Sequence, residues 1–202
     1  ALLDALGIER LPVLGGSAGA LSALAFALRH PQRCSALVPI VPASYVPGRP
    51  ATPAAVPWAT ALTEAMLRSD FLFWCGVRSA PAAMTKALLA TDAAVVAAAS
   101  AAEHARVRQV LWNILPVAER ADGILNDARL SSAPAPLALE RITAPTLAVS
   151  VEDDRFGTIE AARHIAATVP GAQLLPFPTG GHVWAGHDAE LFAAVHQFLK
   201  RT

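Results

Sequence analysis

Residues 11–30 read LPVLGGSAGALSALAFALRH, and the reading of this stretch decides the fold. LPVLGG, from Leu11 to Gly16, is a short apolar run closed by glycines, the pattern of a buried strand. From Ala20 to His30 the apolar residues Leu21, Leu24, Ala25 and Leu28 recur at spacings of three and four, and Pro31 ends the helix that this implies. CSALVPIVPA, from Cys34, is a second buried strand. Ser17 therefore stands at the bend of a strand, turn, helix, strand unit of the parallel α/β kind. The pentapeptide Gly15, Gly16, Ser17, Ala18, Gly19 proves little alone, because glycine and serine are ordinary turn residues.

Later segments repeat the rhythm. APTLAVSV (144–151) reads as a third strand and EDDRFG (152–157) as the loop at its carboxyl end. Thr158 is expected to cap the next helix, whose inner face is Ile159, Ala162, Ile165 and Val169, and Pro170 and Gly171 stop it. AQLLPFP (172–178) is a fourth strand, TGGHVWAGH (179–187) a loop, and Asp188 to Lys200 a last helix with Leu191, Val195 and Phe198 facing inward. Parallel strands joined by right-handed crossovers bring all their carboxyl ends to one edge. Ser17 follows the first strand, Asp153 and Asp154 the third, and His182 the fourth. A nucleophile, an orienting carboxylate and a base thus converge in the order Ser, Asp, His.

Between Pro42 and Arg141 the texture changes to proline-rich loops and alanine-rich helical stretches without a clear strand. Trp58, Phe71, Phe73, Trp74 and Trp112 fall here and are read chiefly as its core. The expected architecture is α/β, a mostly parallel sheet flanked by helices. Residues 1–41 and 142–202 form its core and residues 42–141 a helical lid. A chain of 202 residues accommodates one such core with a lid.

The formal charge is zero, from 16 basic and 16 acidic side chains, and no cationic run is present that could neutralise a row of phosphates, so nucleic acid is not expected as a partner. The longest stretch of low charge, residues 87–112, carries Asp92, Glu103, Arg106 and Arg108 and reads as a helix outside any membrane. Cys34 and Cys75 lack any CxxC spacing. Neither a metal nor a cofactor is implied, and the cytoplasm is the expected compartment.

Three segments together resemble the α/β-hydrolase superfamily. LLDALGIERLPVLGGSAGALSALAFALRHPQRCSALVPIVPASY looks like its nucleophile-elbow segment, ITAPTLAVSVEDDRFGTIEAARHIAATVPGAQL like its acid-loop segment, and PTGGHVWAGHDAELFAAVHQFL like its histidine segment. Small residues are needed two positions either side of the nucleophile, where the helix turns back tightly on the strand, and here they are Gly15 and Gly19. The resemblance implies a strained backbone at Ser17, an oxyanion donor in the N–H of Ala18, and a pocket for a small acyl substrate under the lid. Its acid usually follows a glycine by three positions. Here that slot holds Val151 in place of glycine, and the pattern points to Asp154 with the adjacent Asp153 as the alternative, which would otherwise be a solvated or loop-capping carboxylate. His182 is the base, and His187 is a surface or capping residue. Trp184, two residues beyond His182, is expected to line the pocket, with Trp58 and Trp112 as further candidates.

The function expected is that of a serine hydrolase cleaving an ester or related acyl bond of a largely apolar substrate. The alternative is a non-catalytic ligand-binding module or an inactive truncated relative. It draws on one departure: the family's strands before the elbow, whose loop supplies a second oxyanion donor, have no counterpart here. The chain opens in helical spacing (Leu2, Leu3, Leu6) with no capping residue ahead of it. The expectation is therefore that upstream strands are missing, and that RLPVL, left as an open edge, drives homo-oligomerisation.

Overall fold

The computed structural model describes residues 1–49 and 57–202, with the backbone alone for residues 57–59. Its elements are α1 (Leu2–Ala5), β1 (Leu11–Gly16), α2 (Gly19–Arg29) and β2 (Cys34–Ile40), then the helices α3 (Pro57–Leu67), α4 (Asp70–Ser79), α5 (Pro81–Leu89), α6 (Ala93–Ala98), α7 (Ala101–Trp112) and α8 (Ala121–Ser132). They are followed by β3 (Leu147–Val151), α9 (Thr158–Thr168), β4 (Gln173–Phe177) and α10 (Asp188–Leu199). The strands form one parallel sheet in the order β1-β2-β3-β4.

Alternation along β2 and β3 assigns side chains to the two faces of the sheet. Leu37 and Ala148 join Ala23, Leu24 and Ala27 of α2 and Ala162 and Ile165 of α9 on one face. Val38, Ile40, Val149 and Val151 join Leu191, Val195 and Phe198 of α10 on the other. Helices on both faces explain why these strands read as unbroken apolar runs rather than alternating ones. The whole of β3 is buried.

Two expectations need correction. The inner face of α2 is Ala20, Ala23, Leu24 and Ala27: of the leucine stripe only Leu24 is fully buried, because α2 lies hard against β1. A Cβ on Gly15 would come within 2.6 Å of the Gly19 carbonyl oxygen and 2.7 Å of the Ala23 Cβ, so only small side chains fit between the two elements. And β1 is not a buried strand: Gly15 is its one buried residue and Leu14 is 44% exposed. Among the described residues β1 pairs only with β2, so half of its hydrogen-bonding edge has no partner strand there.

The described part of the segment between β2 and β3 is helical, as its texture suggests, and has its own core of Phe73, Val77, Met84, Val107, Leu111 and Val117. Val183 and Ala185, from the loop after β4, are buried in that same core. Phe71 and Trp74 differ from the expectation of a core role: they stack on each other at 6.4 Å and are 69% and 45% exposed. Residues 50–56, and the side chain of Trp58, lie outside the described residues. No helix among the described residues is long and apolar enough to cross a membrane.

Candidate active site

Ser17 occupies the turn between β1 and α2 with φ +52°, a left-handed conformation that a non-glycine residue rarely adopts. Its neighbours hold it there. The Ser17 N–H donates to the Ile40 carbonyl at the end of β2 (2.9 Å), and the Ser17 carbonyl accepts from Ala20 and Ala43 (3.1 Å each). The absent Cβ at Gly15 lets the helix return this closely, which brings Oγ to the carboxyl edge of the sheet. Ala18 is the N-cap residue of α2.

On the loop after β3, Asp154 is 4% exposed. Its Oδ1 accepts the Phe156 N–H at 2.9 Å, and its Oδ2 accepts the Thr158 hydroxyl and His182 Nδ1, the latter at 2.9 Å. Ser150 Oγ lies 2.9 Å from the Thr158 hydroxyl oxygen and completes a buried polar row behind the carboxylate. Thr158 therefore does not cap α9 as expected. Gly157, at φ +65°, takes the N-cap position and Thr158 is the first helical residue, its hydroxyl turned to Asp154.

Asp153 points elsewhere: its Oδ1 accepts the Gly181 N–H at 2.8 Å and ties the two loops together. The adjacent carboxylates are thus separated in space, one reaching the imidazole and the other the backbone that carries it.

His182 lies in a single 3-10 turn, Gly181–Val183, and is 8% exposed. A carboxylate can only accept, so Nδ1 carries the proton donated to Asp154. Nε2 is then left as an acceptor, and the Ser17 hydroxyl lies 2.9 Å from it. One imidazole joins residues from three loops, with Phe156 packed edge-on against its ring at 4.8 Å.

A cavity of about 720 Å³ opens on this constellation. Ser17, Ala18, Tyr45, Phe156 and His182 line it from the sheet side, and Leu88, Ile124 and Ala128 from the helical segment. Arg49 and Asp127 are its charged lining residues. Trp184 does not line it. The ring packs against the cluster under α10, its Nε1 donates to Asp188 at 2.9 Å, and the Arg106 guanidinium lies 5.7 Å from its centroid. Trp112 faces a separate groove between α4 and α7 and packs on the helical core. His187 pairs with Glu190 at 3.2 Å and stacks on Phe177, away from the cavity. Spacing alone did not reveal Thr158 as a partner of Asp154, nor Tyr45 and Phe156 as lining. A hydroxyl four residues beyond the acid, on the first turn of the next helix, is the signal that could have found the first. Among the described residues no three His, Cys, Asp or Glu side chains stand close enough to hold a metal ion.

Comparison with known proteins agrees with this architecture. Over 187 residues the chain is 32% identical to the 2-hydroxy-6-oxononadienedioate/2-hydroxy-6-oxononatrienedioate hydrolase 2 of Pseudomonas putida, an alignment covering 91% of this chain and 60% of that protein. The chain thus spans about three-fifths of the length of that relative. Among solved structures it is similar to a hydrolase from Pseudomonas aeruginosa (TM-score 0.67, 25% identity, 98% of this chain and 68% of that one). An alpha/beta hydrolase fold protein from Nakamurella multipartita is similar too (TM-score 0.62, 26% identity, 98% and 72%). Residues 1–184 match the alpha/beta hydrolase fold family as a whole, and the chain belongs to that family.

Proposed function

We propose that the protein is a serine hydrolase that works through an acyl-enzyme on a small, largely apolar acyl substrate. The observation that carries this is the pair of 2.9 Å contacts through the one ring of His182, to Ser17 and to Asp154. Ser17 Oγ attacks the substrate carbonyl as Nε2 takes its proton. Asp154 stabilises the imidazolium and keeps the proton on Nδ1, and the same proton on Nε2 then passes to the leaving group. Water repeats the sequence against the acyl-enzyme. The Ala18 N–H, at the start of α2, is placed where the helix dipole favours the oxyanion. The helices between β2 and β3 act as the lid, since Leu88, Ile124 and Ala128 cover the cavity opposite Ser17. Predominantly apolar walls support an apolar acyl chain.

A second reading of the substrate is favoured by Arg49 in the cavity wall and by the relative from Pseudomonas putida, whose substrate is named as an oxo-dicarboxylate. In it the attacked carbonyl is a ketone and a carboxylate lies toward Arg49. The test uses a fluorophosphonate probe followed by peptide mapping, with turnover of p-nitrophenyl butyrate and of a 6-oxo dicarboxylate compared side by side. Label on Ser17 with butyrate turnover supports the ester reading. Turnover of the dicarboxylate alone, lost in Arg49→Ala, selects the second. Absence of both label and turnover leaves a ligand-binding protein and overturns the proposal.

A further inference from the structure

The loop carrying His182 has three main-chain hydrogen bonds of its own, Trp184 N–H to the Gly181 carbonyl (3.1 Å), Ala185 N–H to that of Gly180 (2.8 Å) and His187 N–H to that of Trp184 (2.9 Å), and the rest of its restraint comes from outside. Gly180, Gly181, Trp184 and Gly186 all have positive φ (+135°, +61°, +43° and +90°), so much of this short segment is backbone that relaxes readily unless restrained. Gly181 also abuts Thr91, leaving no room for a side chain. Asp153 restrains the side of the loop before His182. The side after it is restrained from the helical segment by two residues one turn apart on α7.

Arg106 Nη2 donates to the Val183 carbonyl at 2.7 Å, on the residue directly following His182. Glu103 Oε2 accepts the Gly186 N–H at 2.9 Å. The two side chains are locked together by a forked contact, Nε to Oε1 at 3.0 Å and Nη2 to Oε2 at 2.9 Å. Arg106 Nε also lies 3.5 Å from Asp188 Oδ1, the atom that accepts the Trp184 indole N–H. Both members of the pair are largely screened from water, at 14% and 23% side-chain exposure. Hydrogen bonding from Arg106 holds the Glu103 carboxyl below the ordinary carboxylate range.

We propose that Glu103 and Arg106 are positioning residues for the base: α7 grips the backbone on both sides of Trp184 and so fixes the height and tilt of the His182 ring over Ser17. The proposal rests on the hydrolase reading above and extends it. A pair acting only as packing would need no hydrogen bonds to the loop backbone, and burial of Val183 and Ala185 would suffice. The directed contacts fall instead on the two main-chain groups that set where His182 stands. Displacing a catalytic group by about 1 Å costs on the order of 10²-fold in rate. In this assignment the helical segment completes the catalytic geometry besides covering the cavity.

The test is steady-state kinetics of Arg106→Met, Arg106→Lys and Glu103→Met in the full chain, with active sites counted by fluorophosphonate so that unfolded protein is not scored. For Arg106→Met we expect kcat per titrated site to fall about 10²-fold while KM stays within about twofold, the signature of a group misplaced in the transition state. Arg106→Lys restores part of kcat, about tenfold, because an ammonium reaches the Val183 carbonyl but cannot fork onto Glu103. Unchanged kcat per titrated site with a lowered melting temperature would show the pair to be packing alone and would overturn the proposal. Glu103→Met, which removes the acceptor of the Gly186 N–H, carries the same criterion where Arg106→Met does not fold. Ser17→Ala, run in parallel, separates the two readings: turnover surviving in it removes the hydrolase mechanism and this proposal with it, whereas its loss confines a negative result to the pair.

Discussion

Two regions meet at the carboxyl edge of the sheet, and they are held by opposite means. The turn at Ser17 is fixed almost entirely by its own neighbourhood: the missing Cβ of Gly15, the first turn of α2, and main-chain bonds to β2 close by in sequence. The loop at His182 has turn bonds of its own but is otherwise fixed from afar, by Asp153, Thr91, Glu103 and Arg106. A strained serine turn can be encoded in a pentapeptide, whereas the histidine beside it depends on side chains as far off in sequence as Thr91, which no local pattern marks. The difference teaches where substitutions will be tolerated. The serine turn should break only through its own small residues, and the histidine loop through residues scattered over the helical segment.

That contrast can be tested in order of expected effect. Ser17→Ala removes the nucleophile and should lower kcat by about 10⁶, as loss of the serine does in other triads. A loss below about 10², measured on protein with native circular dichroism, would place the chemistry on another residue. Asp154→Asn should cost about 10⁴, because the amide presents its N–H₂ or a neutral oxygen to Nδ1 and destabilises both the tautomer and the imidazolium. Gly15→Ala should lower unfolding free energy by about 1–3 kcal/mol in urea titrations, since the new methyl meets the Gly19 carbonyl at 2.6 Å. Asp153→Asn should change kcat by less than about fivefold, because the amide oxygen still accepts the Gly181 N–H at the cost of its charge. If Asp153→Asn proves worse than Asp154→Asn, the assignment of the acid is reversed.

The smallest effect is acid sensitivity. Glu103 has a lowered pKa in the folded protein, chiefly through its hydrogen bond from Arg106, so its contribution to stability is full above the ordinary glutamate value of about 4.3 and is lost as pH falls through the lowered one. The melting temperature of the parent should therefore exceed that of Glu103→Gln at neutral pH and converge with it on acidification below pH 4. A constant difference across that range would show that the carboxylate charge contributes nothing to the loop.

How much of this was legible in the sequence follows the same division. The four strands, α2, α9 and α10 were readable because period and punctuation are local properties, and so were Ser17, Asp154 and His182 as residues delivered to one edge. The expectation of Asp154 over Asp153 rested on a spacing, and in the structure Asp154 meets His182 while Asp153 meets the Gly181 N–H. The leucine stripe of α2 misled because hydrophobicity was weighed without the steric demand of Gly15, which favours alanines at the contact. Trp184 misled for a related reason. Proximity in sequence to His182 places a ring near it, but φ +43° at Trp184 turns the chain so that the indole packs beneath the loop, with its N–H on Asp188. The Glu103 and Arg106 contacts had no signature, since an acidic and a basic residue three apart on a helix read as a solvated pair.

The insertion of a helical body between β2 and β3 also sets an order of events in folding. Ile40 pairs with Val149 across more than 100 intervening residues, and Ser17 meets His182 across 165. Closing so long a loop is entropically slow, each doubling of its length adding about 0.6 kcal/mol, and contacts of this separation lower the folding rate. Helices α4 to α7 draw mostly on neighbours in sequence, and their core, apart from Val183 and Ala185, requires no such closure. Once collapsed, they shorten the span that β3 must cross to reach β2. The expected order is most of the helical body first, then the complete sheet, and the site last. Pulse-labelled hydrogen exchange should find α7 amides protected ahead of those in β3, and a chain interrupted on this route would carry a helical body still lacking Val183 and Ala185 over an unassembled site.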